Sequence, residues 1–144
     1  MRIVLQRVSH ASVTVADKII GKINRGYVVL LGIGQDNTAA DVDKAIQKIS
    51  KLRLFADENG KTNLSITDIN GELLVVSQFT LYADCRKGNR PSFTEAAPPQ
   101  LAEELYEYFI KSAQPYFAAV QHGQFGADMQ VQLVNDGPFT VVLE

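Results

Sequence analysis

The sequence predicts an α+β fold in which two helices cover one side of a mostly antiparallel, partly rolled sheet. Three observations predict it: strand-like segments are grouped towards both ends of the chain, two segments have helical spacing, and no linker or repeat interrupts residues 1–144. Strands that are segregated from helices are typical of α+β proteins. The length and the apolar content of 46% predict a single domain with a sizeable core.

The first part of the chain predicts a strand, a hairpin and a central strand. In the segment 3–8, Ile3, Leu5 and Arg7 alternate with Val4, Gln6 and Val8 as the two faces of a strand. The strand-like segments 12–16 and 18–23 flank Asp17. An uninterrupted apolar run from Tyr27 to Ile33 has the length of a buried strand.

Two segments predict amphipathic helices. Thr38 is followed three residues later by Asp41, which is the pattern of a helix start, and Pro98-Pro99 opens the second helix, which Pro115 ends. The apolar positions that share a face are Val42, Ala45, Ile46, Ile49 and Leu52 in the first helix, and Leu101, Leu105, Tyr108 and Phe109 in the second.

The remaining segments predict turns and strands. Turns at residues 57–60 and at Asn70-Gly71 flank a weakly patterned region. Leu73 to Val76 then reads as a buried strand that continues directly into polar residues. Two further strands finish the chain, and a Gly137-Pro138 dipeptide interrupts the apolar pattern near the C-terminus.

Bulk composition restricts the class of function. A net charge of −2 and a single cysteine argue against a protein that coats nucleic acid and against an internal disulfide. A nucleic-acid partner therefore requires a local basic patch. The absence of a leader-like segment and of an apolar run near membrane-spanning length predicts a cytoplasmic protein without a membrane partner.

The common catalytic constellations are not recognisable. His10 and His122 are the only histidines, and neither is in a setting typical of a serine triad; together with Cys85 they do not supply a clustered zinc site. We therefore expect no metal and no cofactor. Cys85 precedes Arg86 and Lys87, which favour a reactive thiol, although an incidental thiol in a loop is the simpler interpretation.

Ser77, Gln78 and Thr80 are the strongest candidates for chemistry. Strand geometry puts Gln78 and Thr80 on one face and Ser77 and Phe79 on the other, so that the side chains do not converge. Their backbone N–H groups can converge, and such donors stabilise the oxyanion of acyl transfer. No base is visible beside Thr80, which favours a positioning role over a nucleophilic one. The structural alternative is a set of half-buried polar residues bonded to neighbouring backbone.

Two further segments have a structural and a functional interpretation. Gly137-Pro138 is either an ordinary turn with a trans bond or a cis bond whose flanking carbonyls point the same way, with glycine allowing close approach to a ligand. Arg86, Lys87 and Arg90 are either a solvated loop or contacts to nucleic-acid phosphates.

The chain resembles the D-aminoacyl-tRNA deacylases, and the similarity extends over essentially its whole length. The segments that carry it are Met1–Val8, Leu52–Phe55, Ser77–Asp84, Lys87–Phe93, Gly123–Met129 and Asn135–Thr140. One departure is Phe139, where many members of the family have valine; another is Cys85-Arg86 before the basic loop.

The resemblance implies a homodimeric enzyme that hydrolyses the ester between a D-amino acid and the 3′ acceptor end of tRNA. Ser77, Gln78, Phe79 and Thr80 are then expected to contact the substrate, and the 2′-hydroxyl of the terminal adenosine helps to activate water. The resemblance also implies a cis Gly137-Pro138 that enters the partner subunit's site and excludes L-amino acids. Since glycine has no side chain to exclude, glycyl-tRNA mischarged on tRNA-Ala is an expected substrate too.

Two alternatives stay open at this point. The chain is also compatible with a non-catalytic module of the same fold that binds the tRNA end or a small ligand. A thiol-dependent hydrolase that uses Cys85 is the other.

Overall fold

The computed structural model describes residues 1–144 and contains two α-helices and eight strands. The strands are β1 (Arg2–Val15), β2 (Lys18–Ile23), β3 (Gly26–Gly32), β4 (Arg53–Ala56), β5 (Thr62–Ser65), β6 (Glu72–Ser77), β7 (Ala119–His122) and β8 (Gln130–Leu143). The helices are α1 (Ala39–Lys51) and α2 (Pro99–Ala113). Short 3₁₀ helices span Phe79–Tyr82 and Gln114–Tyr116.

Six strands form one sheet in the order β2-β1-β3-β6-β7, with β8 on the other edge of β1. The pairs of β1 with β2, β3 and β8 are antiparallel, whereas β6 is parallel to both β3 and β7. Because β2 also contacts β6 and β7, the sheet is rolled towards closure. The α+β class with a mostly antiparallel, rolled sheet is therefore confirmed.

The core has two parts, one on each face of the sheet. The larger cluster lies between the sheet and both helices, and includes Tyr27, Val75 and Phe109 without exposed surface. The smaller cluster, with Val8, Val28 and Leu74, fills the opposite face under β8. The predicted first helix begins as expected, since the Thr38 N–H donates to the Asp41 carboxylate at 2.9 Å.

Three local features differ from the sequence prediction. The weakly patterned region contains β5, which forms a small hairpin with β4 across the predicted turn at residues 57–60, with Gly60 in the left-handed conformation. The strand does not continue past Ser77, because β3 ends at Gly32 and offers no further partner, so that the chain turns into a 3₁₀ helix. The predicted alternation of Gln78 and Thr80 with Ser77 and Phe79 along a strand was therefore wrong. Finally, the apolar segments on both sides of Gly137-Pro138 belong to one strand, β8.

No helix of the structure has the length and apolar content that are needed to cross a membrane.

Candidate active site

The site is built where β6 ends. The Gln78 N–H makes the last bond to β3, donating to the Leu31 carbonyl at 2.8 Å, and the next residues turn sharply away. The Leu81 N–H then donates back to the Gln78 carbonyl at 3.2 Å, which closes the turn. This reversal leaves a recess between the strand end and the neighbouring segments.

A cavity of about 640 Å³ occupies that recess. Ser77, Gln78 and Phe79 form one wall, and most of the remaining lining is apolar. That lining comes from the residues before and at the start of α2 and from the segment that leads into β8: Phe93, Ala96, Ala97, Pro99, Ala102, Phe125, Gly126, Ala127, Met129 and Val131. The rings of Phe79 and Phe93 meet edge to face with centroids 5.1 Å apart. Such a cavity suits a flat, largely apolar group.

Two backbone donors beside the cavity have no acceptor within the 3₁₀ helix that follows β6. The N–H groups of Phe79 and Thr80 are the first two of the 3₁₀ helix and precede the Leu81 N–H that bonds back to Gln78, so the helix itself offers them no acceptor. Backbone donors fixed in this way can bind a carbonyl oxygen or a developing oxyanion. The Thr80 hydroxyl accepts a hydrogen bond from the Gln78 amide and does not line the cavity.

The second candidate segment is a wide bulge in β8. Val8 pairs with Asn135 and Gln6 with Thr140, so that four residues, 136–139, lie opposite the single residue Arg7 of β1. Gly137-Pro138 forms the exposed crest of this bulge, and its peptide bond is cis. Gly137 has φ +134°, a conformation that favours glycine.

Arg7 supports the bulge from below, with a side chain that is only 14% exposed. Its Nε donates to the Asp136 carbonyl at 2.9 Å and its Nη1 to the Leu54 carbonyl of β4 at 2.6 Å. The guanidinium also lies 4.5 Å from the centroid of the Phe139 ring. Arg7 thus joins β4 to both sides of Gly137-Pro138. Sequence analysis missed this role; an arginine within an apolar strand pattern was the available signal.

A polar network closes the bulge on its other side. The Asn135 side-chain oxygen accepts from the Phe139 N–H at 2.9 Å, and the Gln6 side-chain oxygen accepts from both Asn135 Nδ2 and Thr140 Oγ1 at 2.5 Å. These side-chain bonds replace the ladder bonds that the bulge interrupts.

The basic loop is exposed, and its three cations differ. Arg86 makes a two-pronged pair with Asp84, with Nε–Oδ1 at 2.8 Å and Nη2–Oδ2 at 2.7 Å. This pair holds the pKa of the Asp84 carboxyl well below its usual range. Lys87 and Arg90 make no ion pair within the chain, and Cys85 is exposed in the same loop.

The structure therefore brings together some of the predicted residues and not others. Ser77, Gln78 and Phe79 share one cavity wall, with Thr80 next to them. Gly137 and Pro138 do not line that cavity in the same chain. Phe93 and Met129, which sequence analysis did not single out as site residues, line it because distant segments converge there.

These features define a class of site in which backbone donors and an apolar cavity, rather than a recognisable nucleophile and base, face the ligand; this arrangement occurs in acyl-transfer enzymes. A family model described as D-Tyr-tRNA(Tyr) deacylase matches residues 4–144, and the chain belongs to that family. The resemblance noted from the sequence motifs is thereby confirmed.

Individual relatives match over the full chain. Proteins named D-aminoacyl-tRNA deacylase from Thermosipho africanus (strain TCF52B) and Clostridioides difficile (strain 630) are 57% and 58% identical over 144 residues, which cover 100% of this chain and 97% of each relative.

Solved structures match as well. One described as c-Myc DNA Unwinding Element Binding Protein superimposes with a TM-score of 0.94 at 44% identity, covering 100% of this chain and 98% of that one. A probable eukaryotic D-amino acid tRNA deacylase, with a TM-score of 0.88 at 18% identity, covers 99% of this chain and 97% of its own, and it shows the same fold.

Proposed function

We propose that this protein hydrolyses the ester bond of D-aminoacyl-tRNA, releasing the free D-amino acid and tRNA, and so removes D-amino acids before translation. The observation that carries the proposal is the cavity wall of Ser77, Gln78 and Phe79 beside two backbone N–H groups that the 3₁₀ helix leaves unpaired. Membership of the deacylase family supports the same activity.

The cavity binds the terminal adenosine, and its backbone donors hold the acyl group. The apolar walls, with the Phe79 and Phe93 rings, suit an adenine base. The N–H groups of Phe79 and Thr80 stabilise the negative charge that develops on the ester carbonyl when water attacks. Each such donor contributes about 2.7–4 kcal/mol to lowering the barrier in acyl transfer.

The substrate supplies part of its own catalysis. The 2′-hydroxyl next to the ester helps to activate the attacking water, while Ser77, Gln78 and Thr80 position the ribose and the acyl group. Thr80 contributes through its backbone N–H, because its hydroxyl is engaged with the Gln78 amide and Thr80 does not line the cavity.

Chiral selection arises by exclusion. The crest formed by Gly137 and Pro138 is exposed on its own chain and away from that chain's cavity, so we assign it to the cavity of a second subunit. There its rigid backbone occupies the space that the side chain of an L-amino acid requires. A ten-thousand-fold preference corresponds to roughly 5.5 kcal/mol, which steric exclusion can supply. Glycine escapes exclusion, so glycyl-tRNA, including that mischarged on tRNA-Ala, is hydrolysed as well.

The proposal requires a homodimer whose active site is completed across subunits. β8 is 14 residues long and pairs only with β1, so its outer edge is free for another chain. Val134 and Val142, which are 48% and 62% exposed, are large apolar residues on this strand. A long edge strand with exposed apolar residues favours association.

The remaining contacts are to the tRNA backbone. Lys87 and Arg90 have no partner within the chain and are the better candidates for phosphate contacts; Arg86 is already paired with Asp84. Because aminoacyl-tRNA is used in translation, we expect the enzyme to act in the cytoplasm.

The test is the hydrolysis of matched D- and L-tyrosyl-tRNA by the purified protein, with glycyl-tRNA as a third substrate and a chelator present. We expect turnover of the D-form and of glycyl-tRNA, no turnover of the L-form, and hydrolysis of the L-form by Pro138→Ala. Cys85→Ser serves as the control for a thiol mechanism and is expected to keep full activity.

Each part of the proposal has an outcome that contradicts it. Binding of tRNA without turnover of any ester would identify a binding module instead of an enzyme. Loss of turnover in a folded Cys85→Ser protein would point to thiol chemistry. A fully active monomer in sedimentation would contradict the completion of the site across subunits, and inert glycyl-tRNA would contradict selection by exclusion alone.

A further inference from the structure

A second groove lies on the same end of the sheet as the candidate active site. It has a volume of about 520 Å³ and runs between α1 and the paired ends of β1 and β8. Lys44 and Lys48 of α1 line it together with Met1 and Glu144, the two chain ends. We call it the α1 groove.

The two lysines of this groove make no ion pair within the chain. All four ion pairs of the structure involve arginines, so neither Lys44 nor Lys48 has a carboxylate within 4.0 Å. Of the acids that line the groove, Glu144 lies 3.8 Å from Arg2, which balances its charge. Asp41 keeps its charge at the start of α1, where its pKa is lowered mainly by the Thr38 N–H that donates to it at 2.9 Å and to a smaller extent by Lys44.

The rest of α1 adds a third lysine to this surface. Asp43 accepts from the Tyr108 hydroxyl at 3.0 Å, whereas Lys51 is exposed and continues the line of Lys44 and Lys48 at helical spacing. The three lysines follow one side of the helix over about 10 Å. By contrast, the exposed side of α2 carries acids, namely Glu103, Glu104 and Glu107. In a protein of net charge −2, this asymmetry directs a polyanion towards α1.

Two short series of contacts connect the α1 groove with the surroundings of the active-site cavity. Arg2 donates to the Leu81 carbonyl at 2.9 Å, next to Thr80, and its Nε lies 3.8 Å from Glu144 in the groove. On the other side, Ala96 of the cavity is bridged to Gly34, whose N–H donates to the Asn37 side chain of the groove at 2.8 Å.

We propose that the α1 groove binds the phosphates of the tRNA acceptor arm, with Lys44 and Lys48 as the principal contacts and Lys51 extending the track. The inference rests on the proposed function, since it assumes that the adenosine end of tRNA occupies the neighbouring cavity. Phosphate contacts of this kind hold the substrate in register and read no sequence. They make turnover of the whole tRNA sensitive to salt.

The test compares two substrates of the same site. One is D-tyrosyl-tRNA, and the other is D-tyrosyl-adenosine, which has the ester and the adenosine but no phosphate. The variant is the double change Lys44→Ala, Lys48→Ala on the exposed side of α1. The matched control is Lys18→Ala, Lys22→Ala, which removes two exposed lysines from β2, at the opposite end of β1.

We expect the α1 double variant to lose kcat/KM on D-tyrosyl-tRNA while its kcat/KM on D-tyrosyl-adenosine stays within about twofold of the wild type. Two lost phosphate contacts reduce the slope of log kcat/KM against log salt by roughly 1.4–1.8. Between about 50 and 200 mM salt, the wild type should therefore lose roughly tenfold more activity on tRNA than the variant. The salt dependence of the Kd for uncharged tRNA should weaken in the same way in the double alanine variant. The variant Lys44→Arg, Lys48→Arg, which keeps both charges, should show the salt dependence of the wild type.

The inference would be overturned by an unchanged salt slope in the α1 double variant, or by an equal change in the β2 control. Equal losses on both substrates would also contradict it, since they would indicate damage to the cavity. A further outcome separates the two proposals. If the wild type hydrolyses neither ester but the α1 double variant still shows the expected change in Kd for tRNA, the proposed function is contradicted and the groove assignment stands.

Discussion

Replacing Arg7 with lysine tests whether the support beneath the β8 bulge sets the chiral selectivity. The planar guanidinium reaches two carbonyls at once, those of Asp136 and Leu54, and lies against the Phe139 ring. A lysine ammonium keeps the charge but lacks the fork that makes both bonds from one position. Arg7→Lys therefore removes support from Gly137-Pro138 without introducing an uncharged side chain.

The expected magnitude follows from these contacts. One hydrogen bond to a charged group contributes about 1.5–3 kcal/mol, and a cation–π contact adds about 0.5–1 kcal/mol. Since the Arg7 side chain is only 14% exposed, little of this is recovered from water. We expect a loss of roughly 2–4 kcal/mol in the free energy of unfolding, or roughly 6–13 °C in Tm.

The ratio of D- to L-tyrosyl-tRNA hydrolysis shows whether Arg7 positions the bulge or only stabilises the fold. If about 1–2 kcal/mol of the lost interaction energy had served to hold Gly137-Pro138 in position, the ratio of D- to L-tyrosyl-tRNA hydrolysis falls by roughly 5- to 30-fold. The rate on the D-form should change little, because Arg7 does not line the cavity. The assay is single-turnover hydrolysis of both esters well below Tm.

Arg53→Lys is the matched control. Arg53 also uses two guanidinium nitrogens, donating to the Asn63 backbone and side chain, but it does not contact β8. The reasoning is refuted if Arg7→Lys lowers Tm while the D-to-L ratio stays the same, or if Arg53→Lys lowers that ratio equally.

Three further predictions concern the site and its surroundings. Thr80→Val removes a hydroxyl that only accepts from Gln78, so kcat on D-tyrosyl-tRNA should fall by no more than about fivefold; a thousand-fold loss would assign Thr80 a chemical role. Tyr106→Phe removes a buried hydroxyl that donates to the carbonyls of Val75 and Gly123 at 3.1 and 3.2 Å, while the Val75 carbonyl keeps its bond from the Gly123 N–H at 2.9 Å. It should lower the free energy of unfolding by about 0.5–1.5 kcal/mol in urea denaturation, and an unchanged midpoint would contradict this. Arg86 holds the pKa of Asp84 below its usual range. The stabilisation from this ion pair is therefore fully present above the ordinary Asp pKa and is lost as pH falls through the lowered pKa. An NMR titration should show the Asp84 carboxyl ionised below the usual Asp range and returning to that range in Arg86→Ala; an unaltered titration in the variant would count against the pair.

Local patterns in the sequence were sufficient for the regular elements. The Thr38–Asp41 pattern predicted the start of α1, and the prolines predicted both ends of α2, because a capping pair and a proline act within a few residues. The apolar run that became β3 was predicted for the same reason. The β4–β5 hairpin was missed because its strands are short and only weakly alternating.

The candidate site was predicted in part. Ser77, Gln78 and Phe79 were recognised as polar and aromatic residues at a strand end, and they form one wall of the cavity. The direction of the chain after Ser77 was not predictable, since it depends on where the neighbouring strand β3 ends. Phe93 and Met129 belong to the cavity through contacts between segments far apart in sequence.

By itself, the sequence determined the α+β class, the positions of the helices and the family to which the chain belongs, because these follow from short-range spacing and from motifs spread along the chain. Only the tertiary structure decided that four residues of β8 bulge opposite Arg7, and that Lys44 and Lys48 line a groove next to the cavity. Register between distant strands and the grouping of surface charges arise from long-range packing. No local pattern encodes them, since they depend on partners that the sequence places up to 140 residues away.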